Sequence, residues 1–210
     1  MQYIIMCGGN YHWETPRQLL KINNECIVAR TIRLLKENGV EDIAISTNDE
    51  RFEQFGVKLL HHKNNFDTAH QHCTWIDAFY PTYEPACYIW GDVVFSPEAV
   101  KEIVDAEVKD VQFFASAPPF ADNYIKEWAE PFALKVNDQE FLHRCISIVK
   151  RYYLRNVFKR EPIMWELWQV MKGTKLNVIN YSNYHVLNDY TCDVDCAEDL
   201  EKLKKIIGGE

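Results

Sequence analysis

The chain has no Cys-x-x-Cys pair, no long apolar run and no excess of positive charge. Each absence removes a class of function. Its seven cysteines (Cys7, Cys26, Cys73, Cys87, Cys145, Cys192 and Cys196) are odd in number, and several sit inside apolar runs. They read as buried, reduced thiols and not as a disulfide framework. With no run of bilayer-spanning length and no basic region in the opening MQYIIMC, neither a membrane segment nor a signal peptide is expected. The expected compartment is the cytoplasm. A net charge of −8 argues against broad nucleic-acid binding, so an anionic ligand must be met by local cations or a metal. No repeat or low-complexity segment appears. What remains, 47% apolar and 13% aromatic over 210 residues, describes a packed globule of one sizeable α/β domain or two small ones.

Residues 2–7 read as a buried strand that ends in Cys7-Gly8-Gly9. Apolar residues at helical spacing predict a helix over 24–38, stopped by Gly39, and Ile43-Ala44-Ile45-Ser46 then reads as a second strand. This βαβ unit implies a parallel sheet with a right-handed crossover. Further strands are expected at 57–61, 87–91, 111–116, 131–136 and 176–180, and helices at 70–79, 97–105, 138–149, 161–172 and 197–206. Pro118-Pro119 marks the expected internal boundary, and the regular strand–helix alternation belongs to the first half of a single domain, 1–110, with a more mixed pattern over 111–210. Ligands of such sheets bind beyond the carboxyl ends of the strands, which places Gly8-Gly9, Thr47-Asn48-Asp49 and Gly91-Asp92 on one rim.

Three features there carry chemistry. Glycines at a strand end let the backbone wrap a phosphate, and Pro16-Arg17 follows them with a fixed cation. The strand Cys87–Trp90 runs into Gly91-Asp92, a carboxylate that is costly to leave there without a partner such as Mg²⁺. Asp193-Val194-Asp195 precedes the last helix, and one of its carboxylates would complete a metal site if the chain folds back. Each feature has a plain structural alternative. Asp195 can cap the helix, Asp92 can end a turn, and Arg17 can be a surface cation. His61, His62, His70, His72 and Cys73 crowd one stretch, but their spacing matches no closed zinc pattern, and a histidine there can equally meet a phosphate or base. Lys135, inside a strand, is a candidate for an incoming phosphate or a simple strand lysine.

Together these motifs resemble the nucleotidyltransferases that make activated sugars and alcohols. Pro16-Arg17-Gln18-Leu19-Leu20 looks like the Pro-Lys-Gln-Tyr-Leu of the methylerythritol-phosphate cytidylyltransferases. Asp195-Cys196-Ala197-Glu198-Asp199-Leu200 is similar to the Asp-Thr-Pro-Glu-Asp-Leu of the CMP-sugar synthetases. Asp67-Thr68-Ala69-His70 resembles a base-binding segment of the sugar-phosphate uridylyltransferases. The likeness is firm at both ends and thin from about 110 to 185.

The resemblance implies a Rossmann-like three-layer α/β/α sandwich with a mixed, mainly parallel sheet. It also implies Mg²⁺-dependent coupling of an NTP, CTP favoured, to a sugar or polyol phosphate with release of pyrophosphate, as in polysaccharide biosynthesis. Cys7, Gly8, Gly9 and Gly91 would flank the nucleotide, Asp67 and Thr68 would meet base and ribose, Arg17 would replace the family lysine, and Asp92 and Asp195 would hold Mg²⁺. The family's Gly-x-Gly-x-Arg loop is absent. Asn10-Tyr11-His12-Trp13-Glu14 stands in its place, leaving its duty to His12 and Arg17 or weakening activity. The implied partners are the nucleotide and a small phosphorylated acceptor, with no nucleic acid and no membrane; a homodimer is compatible. The rivals are a glycosyltransferase with a related sheet, which would want Asp-x-Asp where Gly91-Asp92-Val93-Val94 stands, and a non-catalytic nucleotide binder.

Overall fold

The computed structural model describes residues 1–8, 15–61, 74–118, 129–158 and 160–208. In chain order its elements are β1 (Gln2–Met6), β2 (Lys21–Ile22), β3 (Glu25–Cys26), α1 (Ile27–Glu37), β4 (Ile43–Ser46), β5 (Lys58–Leu60), β6 (Ala86–Trp90), β7 (Val93–Val94), α2 (Pro97–Asp105), β8 (Val111–Ala115), β9 (Pro131–Val136), α3 (Gln139–Leu154), α4 (Met164–Met171), β10 (His185–Val186), β11 (Cys192–Asp193) and α5 (Ala197–Gly208). Single 3₁₀ turns occupy Arg17–Leu19, Glu50–Phe55 and Thr74–Ala78.

Seven strands form one sheet in the order β10-β8-β9-β6-β1-β4-β5. Every pairing is parallel except the two made by β9, which runs against both β6 and β8. The fold is therefore a Rossmann-like α/β sandwich with a mixed, mainly parallel sheet, as the motifs implied. Alternation along β1 explains the layers. Tyr3 and Ile5 enter one apolar cluster with Val28, Leu35 and Val100 of α1 and α2, while Ile4 and Met6 enter another with Leu142, Trp165 and Trp168 of α3 and α4. Both sheet faces are covered, so the central strands read as unbroken apolar runs.

The βαβ unit forms as expected, but its helix begins at Ile27 and not at 24. Asn23 and Asn24 both take positive φ, 49° and 66°, and turn the chain tightly between β2 and β3. Gly39, φ 79°, supplies the left-handed residue that ends the helix. The expected strand at 176–180 does not form. The Gln169 side-chain amide donates to the carbonyls of Lys175, just before the expected run, and Val178, inside it, and the short edge strand β10 lies further on. Of the helix expected at 70–79, residues 74–78 form a 3₁₀ turn and 70–73 lie outside the described residues.

One small device places the site. β7 and β11 form a two-residue antiparallel ribbon that pairs Asp193 with Val93, and the Val194 amide donates to the Asp92 carbonyl at 3.1 Å. A satellite cluster of Ile22, Ile27, Val94, Cys192, Val194 and Leu203 anchors it under α5. The chain thus folds back where Asp193-Val194-Asp195 must meet Asp92.

Candidate functional site

At the carboxyl ends of the parallel strands lies a cavity of about 820 Å³. Gly8, Arg17, Asp92 and Asp195 line it, so four of the residues singled out in the sequence come together there. The 3₁₀ turn after Pro16 presents Arg17. Its Nη1 donates to the Asp195 carboxylate at 2.5 Å and the Val194 carbonyl at 2.9 Å, and its Nη2 meets Asp92 Oδ2 at 2.9 Å. Partial burial works against the charged guanidinium, but Asp92, Asp195 and Asp193 outweigh it and raise its pKa, so Arg17 stays a cation throughout the working pH range. Capping the last helix is not Asp195's task. Buried Asp199 accepts from the amides of Asp195 and Cys196, which leaves the Asp195 side chain facing Arg17.

Other expected residues sit differently. Gly91 is a close-approach position: a Cβ there would lie 2.6 Å from both Cys7 Sγ and the Met6 carbonyl. That contact between strand ends, with the Gly91 amide on Met6 at 3.0 Å, explains the glycine without a nucleotide. Cys7 is fully buried in the core, and its amide is spent on the Ser46 carbonyl at 2.9 Å. Burial first, then the charges of Asp92 and Asp49, push its thiol well above the ordinary range. Cys7 therefore lines no nucleotide surface. Gly9, His12, Asp67 and Thr68, with His62, His70, His72 and Cys73, lie outside the described residues.

Lys135 is not brought to the site. β9 is antiparallel, so it starts at the ligand rim and carries Lys135 away, opposite Cys87. Four steps along an extended strand is about 13 Å. Its ammonium, 3% exposed as a residue, donates to the Val104 and Ala106 carbonyls at 2.9 Å each, at the end of α2, and burial lowers its pKa. Lys135→Met is expected to cost about 1–3 kcal/mol of stability through two orphaned carbonyls, with acceptor KM unchanged. Denaturant unfolding beside steady-state kinetics checks this; a raised KM at full stability would return Lys135 to the substrate.

The same antiparallel strand delivers a residue the sequence reading missed. Glu130, immediately before β9, reaches the rim, and ligand oxygens of Glu130, Asp193 and Asp195 lie within 4.8 Å of one another. Trp75, Trp90, Trp165, Tyr181 and Arg160 also line the cavity, as does Gln18, whose Oε1 is buried without a hydrogen-bond partner. The signal for Glu130 was its place, a carboxylate opening a buried apolar run; only the strand's direction gave it meaning.

An oxygen-only donor set of carboxylates suits Mg²⁺, which takes one or two of them with water and phosphate oxygens. Asp195 belongs both to that set and to the Arg17 bridge, and Asp92 reaches the bridge from the other side. Asp195, with Glu130 and Asp193, offers the ion a fitting set, and Asp92 stands across Arg17 from it.

No family model and no curated protein matches the chain. Solved structures do. The 4-diphosphocytidyl-2C-methyl-D-erythritol synthase of Anaerococcus prevotii covers 99% of this chain and 97% of its own, at 12% identity and a TM-score of 0.59. Its fold is that of the nucleotidyltransferases. The CTP:phosphocholine cytidylyltransferase of Streptococcus pneumoniae aligns over 98% of both chains, at 16% identity and a TM-score of 0.55. The inositol-1-phosphate CTP transferase of T. maritima covers 99% of this chain and 96% of its own, at 15% identity and a TM-score of 0.56. On this nucleotidyltransferase fold, the Arg17 bridge and the carboxylates stand at the strand ends, beyond which ligands of such sheets bind. No helix among the described residues is long and apolar enough to cross a membrane.

Proposed function

We propose that the chain is a Mg²⁺-dependent nucleotidyltransferase that joins an NTP to a small phosphorylated acceptor. The observation that carries this reading is the bridge of Arg17 between Asp92 and Asp195, at the rim of a large cavity on this fold. An oxygen of the acceptor phosphate bonds to the α-phosphorus of the nucleotide as the bond to the β-phosphate oxygen breaks, and pyrophosphate leaves. No side chain need become covalently attached. The work of the protein is positioning and charge neutralisation.

Arg17 serves the phosphates. Its planar fork now spans two carboxylates and can span two phosphate oxygens in the same way. Asp92 and Asp195 would hold Mg²⁺, which supplies neutralisation of phosphate charge when bound. Gly8 lines the same space with no side chain to obstruct a phosphate. CTP is the favoured nucleotide in this reading, in keeping with the cytidylyl or CTP chemistry of the three neighbours described above. Pyrophosphate release from each of four NTPs, with a panel of phosphorylated sugars, polyols and amino alcohols, tests it. Release that requires Mg²⁺, NTP and acceptor together is the expected result. Tight NTP binding with no release from any pair would leave a nucleotide-binding protein instead.

A further inference from the structure

We propose that the carboxyl end of α3 is a docking surface for an anionic lipid bilayer, beside the mouth of the cavity. From Lys150 to Arg160 the chain reads Lys-Arg-Tyr-Tyr-Leu-Arg-Asn-Val-Phe-Lys-Arg, five cations with no carboxylate. They leave the remainder, 18 Lys and Arg against 31 Asp and Glu, at −13. One short segment thus opposes the sign of the rest of the chain. It also stands at the ligand rim. β9 runs away from that rim, so α3 returns toward it, and the connection to α4 adds Arg160 and Ile163 to the cavity wall.

Local geometry presents this segment outward. Arg151, Leu154 and Arg155 stand at i, i+3 and i+4, on the face of α3 opposite its buried Leu142, Cys145, Ile146 and Val149. Asn156, φ 56°, then closes the helix, with the Val157 amide on the Tyr152 carbonyl at 3.0 Å and its own amide on the Tyr153 carbonyl at 2.9 Å. That turn sets Val157 next to the helix end. Leu154 is 74% exposed and Val157 54%. Of the eight large apolar side chains exposed among the described residues, three (Leu154, Val157 and Ile163) fall within ten positions. Apolar groups scattered singly need no explanation, but a cluster of them marks an interaction surface.

The cations there are available. Lys150 and Arg160 are held by Asp77 and Glu166, each at 2.8 Å, whereas Arg151 and Arg155 have no acidic partner among the described residues. Cations at a helix C-terminus complement its dipole, which alone would explain two arginines. It does not explain the aliphatic side chains left in water beside them. An anionic bilayer suits both groups, its phosphates meeting the guanidinium groups and its acyl boundary taking Leu154 and Val157. A nucleic acid would answer the cations only. Surface docking needs no spanning helix, and none is long and apolar enough among the described residues.

Co-sedimentation of the whole chain with vesicles tests this. Vesicles of equal parts phosphatidylcholine and phosphatidylglycerol should bind it, vesicles of phosphatidylcholine alone should not, and rising salt should release it. Arg151→Gln with Arg155→Gln should weaken partitioning about 25-fold, about fivefold for each charge. Leu154→Ser with Val157→Ser should weaken it about tenfold and keep the salt dependence. None of these four side chains lines the cavity or is buried, so both double variants should melt like the wild type. Failure to bind the anionic vesicles, equal binding to neutral ones, or full binding by the double arginine variant overturns the proposal. Binding of single-stranded DNA without vesicle binding overturns it in favour of a polyanion. A dimer that Leu154→Ser with Val157→Ser splits, again without vesicle binding, gives the face to a second copy. Vesicle binding does not depend on pyrophosphate release, so this proposal and the transferase reading fail separately.

Discussion

Arg17→Ala is expected to cut turnover by about 10²–10³-fold, the usual loss when one preorganised donor to developing oxyanion charge is removed. A nucleotide triphosphate carries about four negative charges into a chain that is itself acidic, so a fixed cation has to meet it. Among the described lining residues only Arg17 and Arg160 are permanent cations, and Arg160 is engaged with Glu166 at 2.8 Å. Arg17→Lys should recover only part of the rate, because an ammonium is a point charge without the fork. A second readout should move the other way. Arg17 occupies the space between Asp92 and Asp195, so its removal takes away a competing cation and should tighten Mg²⁺ binding to the nucleotide-free protein. Loss of turnover with tighter metal binding is the expected pair of results. Turnover within about twofold of wild type would remove Arg17 from the mechanism, and weakened metal binding would mean that it only braces the rim.

The reach of the sequence has a physical boundary, and it falls between pattern and direction. The βαβ start was legible because its signals are local: an apolar run, helical periodicity, a glycine after the helix. The late Asp-x-Asp was legible as a place where chemistry gathers. What joins it to Asp92 was not, since β7 and β11 have two residues each and no periodicity to read. The run Pro131–Val136 was read correctly as a strand, but apolar composition is blind to direction. That one ambiguity left Lys135 a candidate for the incoming phosphate and passed over Glu130. Residues 176–180 failed for another reason. Their composition is strand-like, but the Gln169 side chain takes the Val178 carbonyl, and such tertiary competition leaves no mark in a local window.

Asp195→Asn is expected to lose about 10³-fold in turnover with little change in melting temperature. The substitution keeps the shape and removes the charge from the one carboxylate that belongs both to the Arg17 bridge and to the cluster with Glu130 and Asp193. Losing a metal ligand removes several kcal/mol of charge stabilisation in the transition state. Asp92→Asn should act alike, through the other arm of the bridge. Asp193→Asn should do less, as its carboxylate joins the cluster while Arg17 contacts its neighbours. Stability should separate from activity because the duties are divided along four residues. Asp199 carries the helix cap, so Asp199→Ala should cost about 1 kcal/mol while leaving kcat nearly intact, whereas half-exposed Asp195 can lose its charge at small structural cost. Rates measured against Mg²⁺ concentration, beside thermal melts of the four variants, decide the matter. A metal dependence unchanged in both Asp92→Asn and Asp195→Asn would move the ion away from these carboxylates. An inactive but stable Asp199→Ala would mean that the cap also holds Asp195 in its working position, and that the division of duties is less clean than the geometry indicates.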